Sequence, residues 1–219
     1  MKLDRYSLTA FITFGALLLL GVTSPGCGGS VPATRYYQLA PPAATPGGRG
    51  DLVIAIEPFE TDPGYDDERI VYRTTPYRLD YYQYHRWSAS PSVMVASFLE
   101  QALERAGRFR AVVRDATEQS PLVIRGRVLA IEEVDRSATS RVGRIVVELS
   151  LVDSRTGSTL WSEQFEEAEP VAQRTPEGLA KALSVAMGRI AARATDPIAA
   201  QATRIAAAKS PEPTLGAGL

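Results

Sequence analysis

The sequence predicts an α+β fold in which a mostly antiparallel sheet carries two helices packed on one face. Residues 122–165 contain successive strand patterns joined by short turns, and within them Ile145, Val147, Leu149 and Leu151 alternate with polar residues. Apolar residues recur at helical spacing after Ser90 and again after Thr175. Because the helices alternate with groups of strands, we expect both of them to cover the same side of the sheet.

The meander is the clearest strand prediction, with strands over 122–134, 142–153 and 160–165. Residues 153–158 have the composition of a hairpin turn, and residues 137–140 are the other predicted turn. Earlier in the chain, short apolar or aromatic runs predict strands over 35–39, 52–57, 69–73, 78–84 and 109–114. The acidic segment 60–68 is expected to be a surface loop.

Both predicted helices have recognisable starting residues. Ser90 followed by Pro91 suits a helix start, and Gly107 suits its end. The second helix is predicted to begin at residues 175–177 and to bury a stripe from Leu179 to Ala194. Beyond residue 195 the chain is rich in Ala, Pro and Gly. Residues 198–208 are a possible helical extension, and the segment 196–219 is otherwise expected to be disordered.

Composition excludes several classes of function. The 219 residues carry a formal net charge of −1, which excludes a strongly basic nucleic-acid binder as the default interpretation. With one Cys and one His, the chain cannot form a disulfide scaffold or a zinc site of Cys and His ligands within itself. The sequence therefore predicts no metal and no cofactor.

The first residues resemble a targeting segment. Lys2 and Arg5 precede an apolar stretch that is shorter than the roughly 20 residues of a spanning helix. The small residues 24–26 then precede Cys27, the only cysteine, and two flexible glycines follow it. This order predicts a lipoprotein signal over 1–26 and lipidation of Cys27. Three acyl chains would anchor a protein firmly, since each buried methylene contributes about 0.8 kcal/mol.

Some details leave alternatives open. Ser24 stands where Leu is common in a lipobox, and Pro25 is unusual there. An ordinary signal peptide and an uncleaved membrane anchor are the alternatives. Gly28, rather than Asp, follows the cysteine, which favours sorting to the outer membrane in a Gram-negative bacterium. The predicted organisation is thus a signal over 1–26, a lipidated segment with a short strand and linker over 27–50, a folded domain over 51–195 and the tail.

A search for catalytic patterns finds little. The sequence has no phosphate-binding Gly loop and no G-x-S-x-G elbow. His85 lies among aromatic residues, where a structural role is the simpler interpretation. The acidic run 66–68 is a possible cation ligand but is more typical of a solvated loop, and the pairs 132–133 and 166–167 are expected to be charges at strand ends. We therefore expect a protein that is not an enzyme.

Aromatic residues are concentrated between residues 81 and 87, at Tyr81, Tyr82, Tyr84 and Trp87. The simplest interpretation is a strand with one exposed aromatic face. A protein contact is the second possibility, because Tyr and Trp are favoured at interfaces. A lipid-contacting surface is the third.

Several segments in this order resemble the ABC-type transport auxiliary lipoprotein family, the PqiC-like proteins. The family's Tyr-Tyr-x-Leu segment corresponds to residues 36–39, and a strand ending in Pro corresponds to 54–58. Residues 69–73, 77–81 and the Trp of 85–87 correspond to the next strands before the first helix. The similarity covers about residues 30–195, and the imperfect lipobox and the tail are the departures.

The resemblance implies a lipoprotein that works with an MCE-domain protein and an ABC or related inner-membrane complex to move lipids or other hydrophobic molecules. Such a protein would be non-enzymatic and would face the periplasm from the outer membrane. A homo-oligomer is compatible with the resemblance. We predict that its partner-binding residues include Tyr77, Tyr81, Tyr82, Tyr84 and Trp87. The alternatives are an envelope-assembly or secretion-system lipoprotein, and a periplasmic hydrolase that uses His85.

Overall fold

The computed structural model describes residues 31–41, 50–118, 120–137 and 139–209. Cys27, the predicted signal and residues 210–219 lie outside this part of the chain. Within it, the strands are β1 (Arg35–Tyr37), β2 (Val53–Ile56), β3 (Glu60–Thr61), β4 (Arg69–Thr75), β5 (Arg78–Trp87), β6 (Ala111–Val113), β7 (Leu122–Asp135), β8 (Arg141–Asp153) and β9 (Thr159–Pro170). The helices are α1 (Pro91–Ala106) and α2 (Pro176–Lys209).

Strand β7 organises the sheet. One edge of β7 pairs with β8 in an antiparallel ladder from Leu122↔Asp153 to Asp135↔Arg141, and β8 pairs in turn with β9. The predicted antiparallel meander is therefore confirmed. The β8–β9 turn contains Gly157 at φ 71°, a left-handed conformation that glycine adopts without steric cost.

The other edge of β7 is shared end to end by three strands that run parallel to it: β2, β3 and β4. Outside them, β6 pairs with β2, β5 forms an antiparallel hairpin with β4, and β1 lies parallel to β5. The longest ladders are antiparallel, so the predicted fold class is confirmed. The parallel pairs were not predicted from the sequence.

Helix α1 starts and ends where the sequence indicates. Pro91 occupies the first turn and Gly107 ends the helix at φ 65°. The hydroxyl of Ser90 contacts that of Ser92 and does not cap the helix. The helix buries Met94, Val95, Phe98, Leu99 and Leu103 against the sheet and α2.

Helix α2 is much longer than predicted. The hydroxyl of Thr175 accepts a hydrogen bond from the amide of Gly178 at 3.0 Å and so caps the first turn. The helix then continues through Pro197 to Lys209. The predicted disorder is therefore wrong for residues 196–209, and the suggested extension over 198–208 is helical.

Burial explains why the helix passes the proline. A proline inside a helix costs about 3 kcal/mol because it removes a backbone hydrogen bond and crowds the preceding turn. Ile198 and Ala202 continue the buried stripe of α2, and Asp196 pairs with Arg108 beyond the end of α1 at 2.8 Å. These contacts offset that cost.

The core lies between the sheet and the two helices. Trp87, Phe98 and Phe165 are among its largest fully buried side chains. Gly143 permits close packing here, because an added Cβ would lie 3.0 Å from Leu183. No helix in the described part of the chain is both long and apolar enough to cross a bilayer.

Candidate functional site

The β4–β5 hairpin carries most of the residues that the sequence singled out. The last pair between β4 and β7 joins Arg73 to Val134, so residues 74–77 continue past that ladder to the turn. The tip of the hairpin therefore projects from one end of the sheet. Its base lies on the sheet, between β1 and β7.

The base of the hairpin is fixed on one face by an ionic network around Glu132. This residue is only 1% exposed. Its carboxylate accepts hydrogen bonds from the Tyr65 hydroxyl at 2.7 Å, from Arg73 Nε at 3.1 Å and from Arg144 Nη1 at 2.9 Å. Burial, reinforced by Glu132, raises the pKa of Tyr65 to about 12. The network joins the segment between β3 and β4, which carries Tyr65, to β4, β7 and β8.

The opposite face carries a second buried carboxylate, Glu133. It pairs with Gly143, which packs against α2, so Glu133 lies on the helix side of the sheet. Its carboxylate accepts hydrogen bonds from the Tyr82 hydroxyl at 3.2 Å and from Arg141 at 3.0 Å. Burial raises the pKa of Glu133 above its usual value and raises that of Tyr82 to about 12.

An aromatic chain continues from Tyr82 to β1. The Tyr82 ring lies 5.1 Å from that of Tyr72 and 5.7 Å from that of His85. His85 Nδ1 lies 2.9 Å from the Tyr37 hydroxyl. The single histidine is thus held between tyrosines, which is the structural role that the sequence favoured.

The five predicted contact residues do not form one surface. Tyr82 points toward the helix side, whereas the Tyr81 hydroxyl bonds the carbonyl of Gly64 and its ring stacks under Arg69. Trp87 is 1% exposed and belongs to the core. The expected single aromatic face of this strand is therefore wrong, because neighbouring residues of a strand point to opposite faces and the β4–β5 register shifts between Arg69 and Val71.

Tyr77 differs from the other four. It occupies the turn and is 97% exposed. No hydrogen bond or ring contact of its side chain occurs within the described residues. Tyr84 is half-buried on β5. Their role as partner contacts stays a prediction.

Sequence reasoning missed Tyr36. This residue lies on β1, at the edge of the sheet, and is 62% exposed. It pairs with Arg86, so the two side chains share a face. The Tyr-Tyr pair at 36–37 was the available signal, since alternation requires one of the two rings to point away from the helix side.

A groove runs between α2 and the chain that follows β1. Its volume is about 690 Å³, and its apolar wall includes Tyr37, Ala180, Val185 and Gly188. The amide of Ala40 donates a hydrogen bond to the Ser184 hydroxyl at 3.0 Å at this groove. Charged residues lie at its rim.

Several of the remaining acidic residues have internal partners. Arg69 binds Asp67 through two guanidinium nitrogens and holds the pKa of that carboxyl below its usual value. Glu166 bonds Arg144, and Glu167 lies against Arg189 and Arg193. Among the described residues, no three His, Cys, Asp or Glu side chains are grouped so that they could hold a metal ion.

The comparison with known proteins identifies the family. A family model described as the ABC-type transport auxiliary lipoprotein component matches residues 37–194. The chain belongs to this family. The match spans β2 to β9, α1 and the first half of α2, and it confirms the resemblance seen in the sequence. It also describes a transport component rather than a catalytic family.

Solved structures show the same fold. A crystal structure of a Xanthomonas campestris protein from family DUF330 is 18% identical with a TM-score of 0.70, over 79% of this chain and 99% of that one. An uncharacterized protein is 12% identical with a TM-score of 0.63, over 76% and 99% of the two chains. At these identities the likeness concerns the fold alone. No curated protein matches the auxiliary lipoprotein significantly in sequence.

Proposed function

We propose that this auxiliary lipoprotein is a non-enzymatic adaptor of an MCE-type lipid transport system, anchored in the outer membrane through Cys27. The family match over residues 37–194 carries the proposal. The lone cysteine after a short apolar segment supports the anchor. The associated ABC or inner-membrane complex would drive transport, and the adaptor would hold the MCE-domain protein at the outer membrane.

The tether suits an adaptor. Cys27 lies eight residues before Arg35, the first residue of β1. A fully extended chain of that length spans about 29 Å at most. The lipid would therefore keep the domain close to the membrane while the glycines after Cys27 leave it free to orient toward a partner.

The β1–β5 edge is the surface that we assign to the partner. Tyr36 supplies aromatic area, and Arg86 supplies a charge on the same face. Tyrosine and arginine are enriched where proteins bind one another. The outer side of β1 pairs with no strand in the described part of the chain, so its backbone groups can extend the interface.

A pull-down of the tagged protein from its own envelope in mild detergent tests this assignment. We expect the wild type to recover an MCE-domain protein and the double substitution Tyr36→Ser, Arg86→Ser to lose most of it. Val93→Ser is the matched control, because Val93 is 55% exposed on α1, away from this edge. Equal recovery with all three proteins would exclude the β1–β5 edge.

A third variant separates anchoring from docking. Replacement of residues 1–27 by an ordinary cleavable secretion signal should release the domain from the membrane fraction but preserve partner binding in detergent, because Cys27 supplies only the anchor. If secretion or wall-assembly proteins were recovered in place of the MCE-domain protein, the transport role would fall and the alternative of an envelope-assembly lipoprotein would replace it.

A further inference from the structure

The start of β1 points toward the tip of the β4–β5 hairpin. Strand β1 is parallel to β5 and pairs Arg35 with His85 and Tyr37 with Trp87. Because β5 runs away from the hairpin turn, the chain before Arg35 enters the sheet from the side of the tip. Tyr77 precedes His85 by eight residues, which corresponds to about 26 Å along a strand. The tether from Cys27 can span that length.

The tip presents an aromatic ring that has no partner in the domain. Tyr77 is 97% exposed, more than any other large hydrophobic residue among those described. The turn beneath it is braced from inside, because Arg73 donates to the Pro76 carbonyl at 2.7 Å while its other nitrogens bind Glu132 and the Tyr65 hydroxyl. One arginine thus connects the buried network to the turn that carries Tyr77.

A second turn lies beside this tip. Arg73 pairs with Val134, so the β7–β8 turn at residues 136–140 ends at the same side of the sheet. Arg136 in this turn is exposed, and its side chain has no ion pair within the described residues. Asp135, next to it, is bound by Arg141 at 3.0 Å. This end therefore combines a free tyrosine ring with a free guanidinium.

The turn at the other end of the sheet offers no aromatic ring. The β8–β9 turn over residues 154–158 contains no aromatic residue and lies a full strand away, about 44 Å along β8. Because the chain before Arg35 enters β1 from the side of the tip, the lipid of Cys27 and the membrane that holds it would lie toward the hairpin tip.

We infer that the tip of the β4–β5 hairpin rests in the headgroup layer of the membrane that holds the lipid anchor. Tyrosine favours this layer because its ring meets the apolar boundary while its hydroxyl stays hydrated. Arg136 supplies a donor for the phosphate groups of the phospholipids. In this orientation the hairpin tip contacts the membrane, and the β1–β5 edge remains accessible to a partner. This inference rests on the proposed anchor at Cys27.

Site-specific fluorescence tests it on the full lipidated chain. Tyr77→Cys provides a single free thiol if Cys27 is acylated, and the thiol is labelled with an environment-sensitive nitrobenzoxadiazole dye. Val93→Cys is the matched control, since Val93 is also exposed but packs beside β2, at the far end of β7. Both proteins are reconstituted into vesicles of phosphatidylethanolamine with a minority of phosphatidylglycerol, with or without a headgroup nitroxide.

We expect a blue shift and loss of fluorescence to the nitroxide at position 77 only. Water-like emission at both positions in vesicle-bound protein would overturn the inference and leave the anchor intact. A change at position 77 that appears only when the MCE-domain partner is added would assign the tip to that partner instead. If the Tyr77→Cys protein failed to float with vesicles and carried two labelled thiols per chain, Cys27 would be unacylated. That result would contradict both the anchor and the inference.

Discussion

At its base the β4–β5 hairpin is held by buried charges, whereas at its tip the Tyr77 ring is almost fully exposed. Glu132 collects three hydrogen bonds from three different segments while almost fully buried. Tyr77, which follows Arg73 by four residues, is 97% exposed. Arg73 links the two regions, since it binds both Glu132 and the Pro76 carbonyl.

The difference separates residues that specify the fold from residues available for binding. A buried carboxylate with its partners is expensive to disturb, because removing one partner leaves the others desolvated. An exposed ring contributes little to folding and is free to contact another surface. Substitutions should therefore change stability at the base and interaction at the tip.

The largest effect is expected from Glu132→Ala. The substitution leaves Arg73 and Arg144, both mostly buried, without their shared carboxylate, and we expect the free energy of unfolding to fall by about 3 kcal/mol. Urea denaturation measures this change. Glu166→Ala is the control, because Glu166 binds the same Arg144 but is half-exposed, so its loss should cost at most about 1 kcal/mol. Equal decreases in the free energy of unfolding for the two variants would contradict a special stabilising role of the Glu132 network.

Unfolding at alkaline pH should reveal the burial of Tyr65, which belongs to the same network. Tyr65 has its pKa raised from 10.0 to about 12, so the unfolded chain loses this proton first as the pH rises. The contribution of Tyr65 to the free energy of unfolding is therefore fully present below pH 10. It decreases, by up to about 3 kcal/mol, as the pH approaches 12. Tyr65→Phe should flatten that fall, whereas Tyr36→Phe, which alters an exposed ring, should leave it unchanged. Unfolding curves collected across this range provide the test.

The two neighbouring glutamates should respond differently to charge removal. Burial raises the pKa of Glu133 above 4.5, so its stabilising contribution is present below that pH and is lost as the pH rises through the folded pKa. Glu133→Gln keeps acceptors for Tyr82 and Arg141 and should flatten this pH dependence without large destabilisation at pH 7. A loss as large as that of Glu132→Ala would show instead that the ion pair with Arg141 outweighs the cost of burial.

The smallest change in stability is expected from Tyr77→Ala. The side chain is 97% exposed, so the free energy of unfolding should change by less than about 0.5 kcal/mol. Thermal unfolding measured beside the wild type checks this expectation. A clear loss of stability would mean that the tip packs against part of the chain and is not available to membrane or partner.

Local patterns predicted most elements of this fold. Alternating residues identified β7 and β8, and proline and glycine located the ends of α1. The parallel pairing of β2, β3 and β4 along one edge of β7 joins segments far apart in the chain, which no local period encodes. The helix beyond Pro197 depends on burial of Ile198, which overrides the local preference of proline.

The candidate site was harder to predict for a related reason. Glu132 and Glu133 look like exposed charges at a strand end, and only the fold brings Arg73, Arg144 and Arg141 to them. Likewise, the tyrosines of β5 gave no indication of which ring would be free, because the register shift in the hairpin redistributes them between two faces. Exposure of Tyr77 follows from its place in the turn.

The central claim is that this domain is a lipid-anchored adaptor. Mass spectrometry of the N-terminal peptide and of the co-purified proteins, both from one detergent extract of the native envelope, tests it most directly. The account predicts a mature chain that begins at an acylated Cys27 and an MCE-domain protein recovered with it. An unmodified cysteine, or a recovered set made up of secretion or wall-assembly proteins, would contradict it.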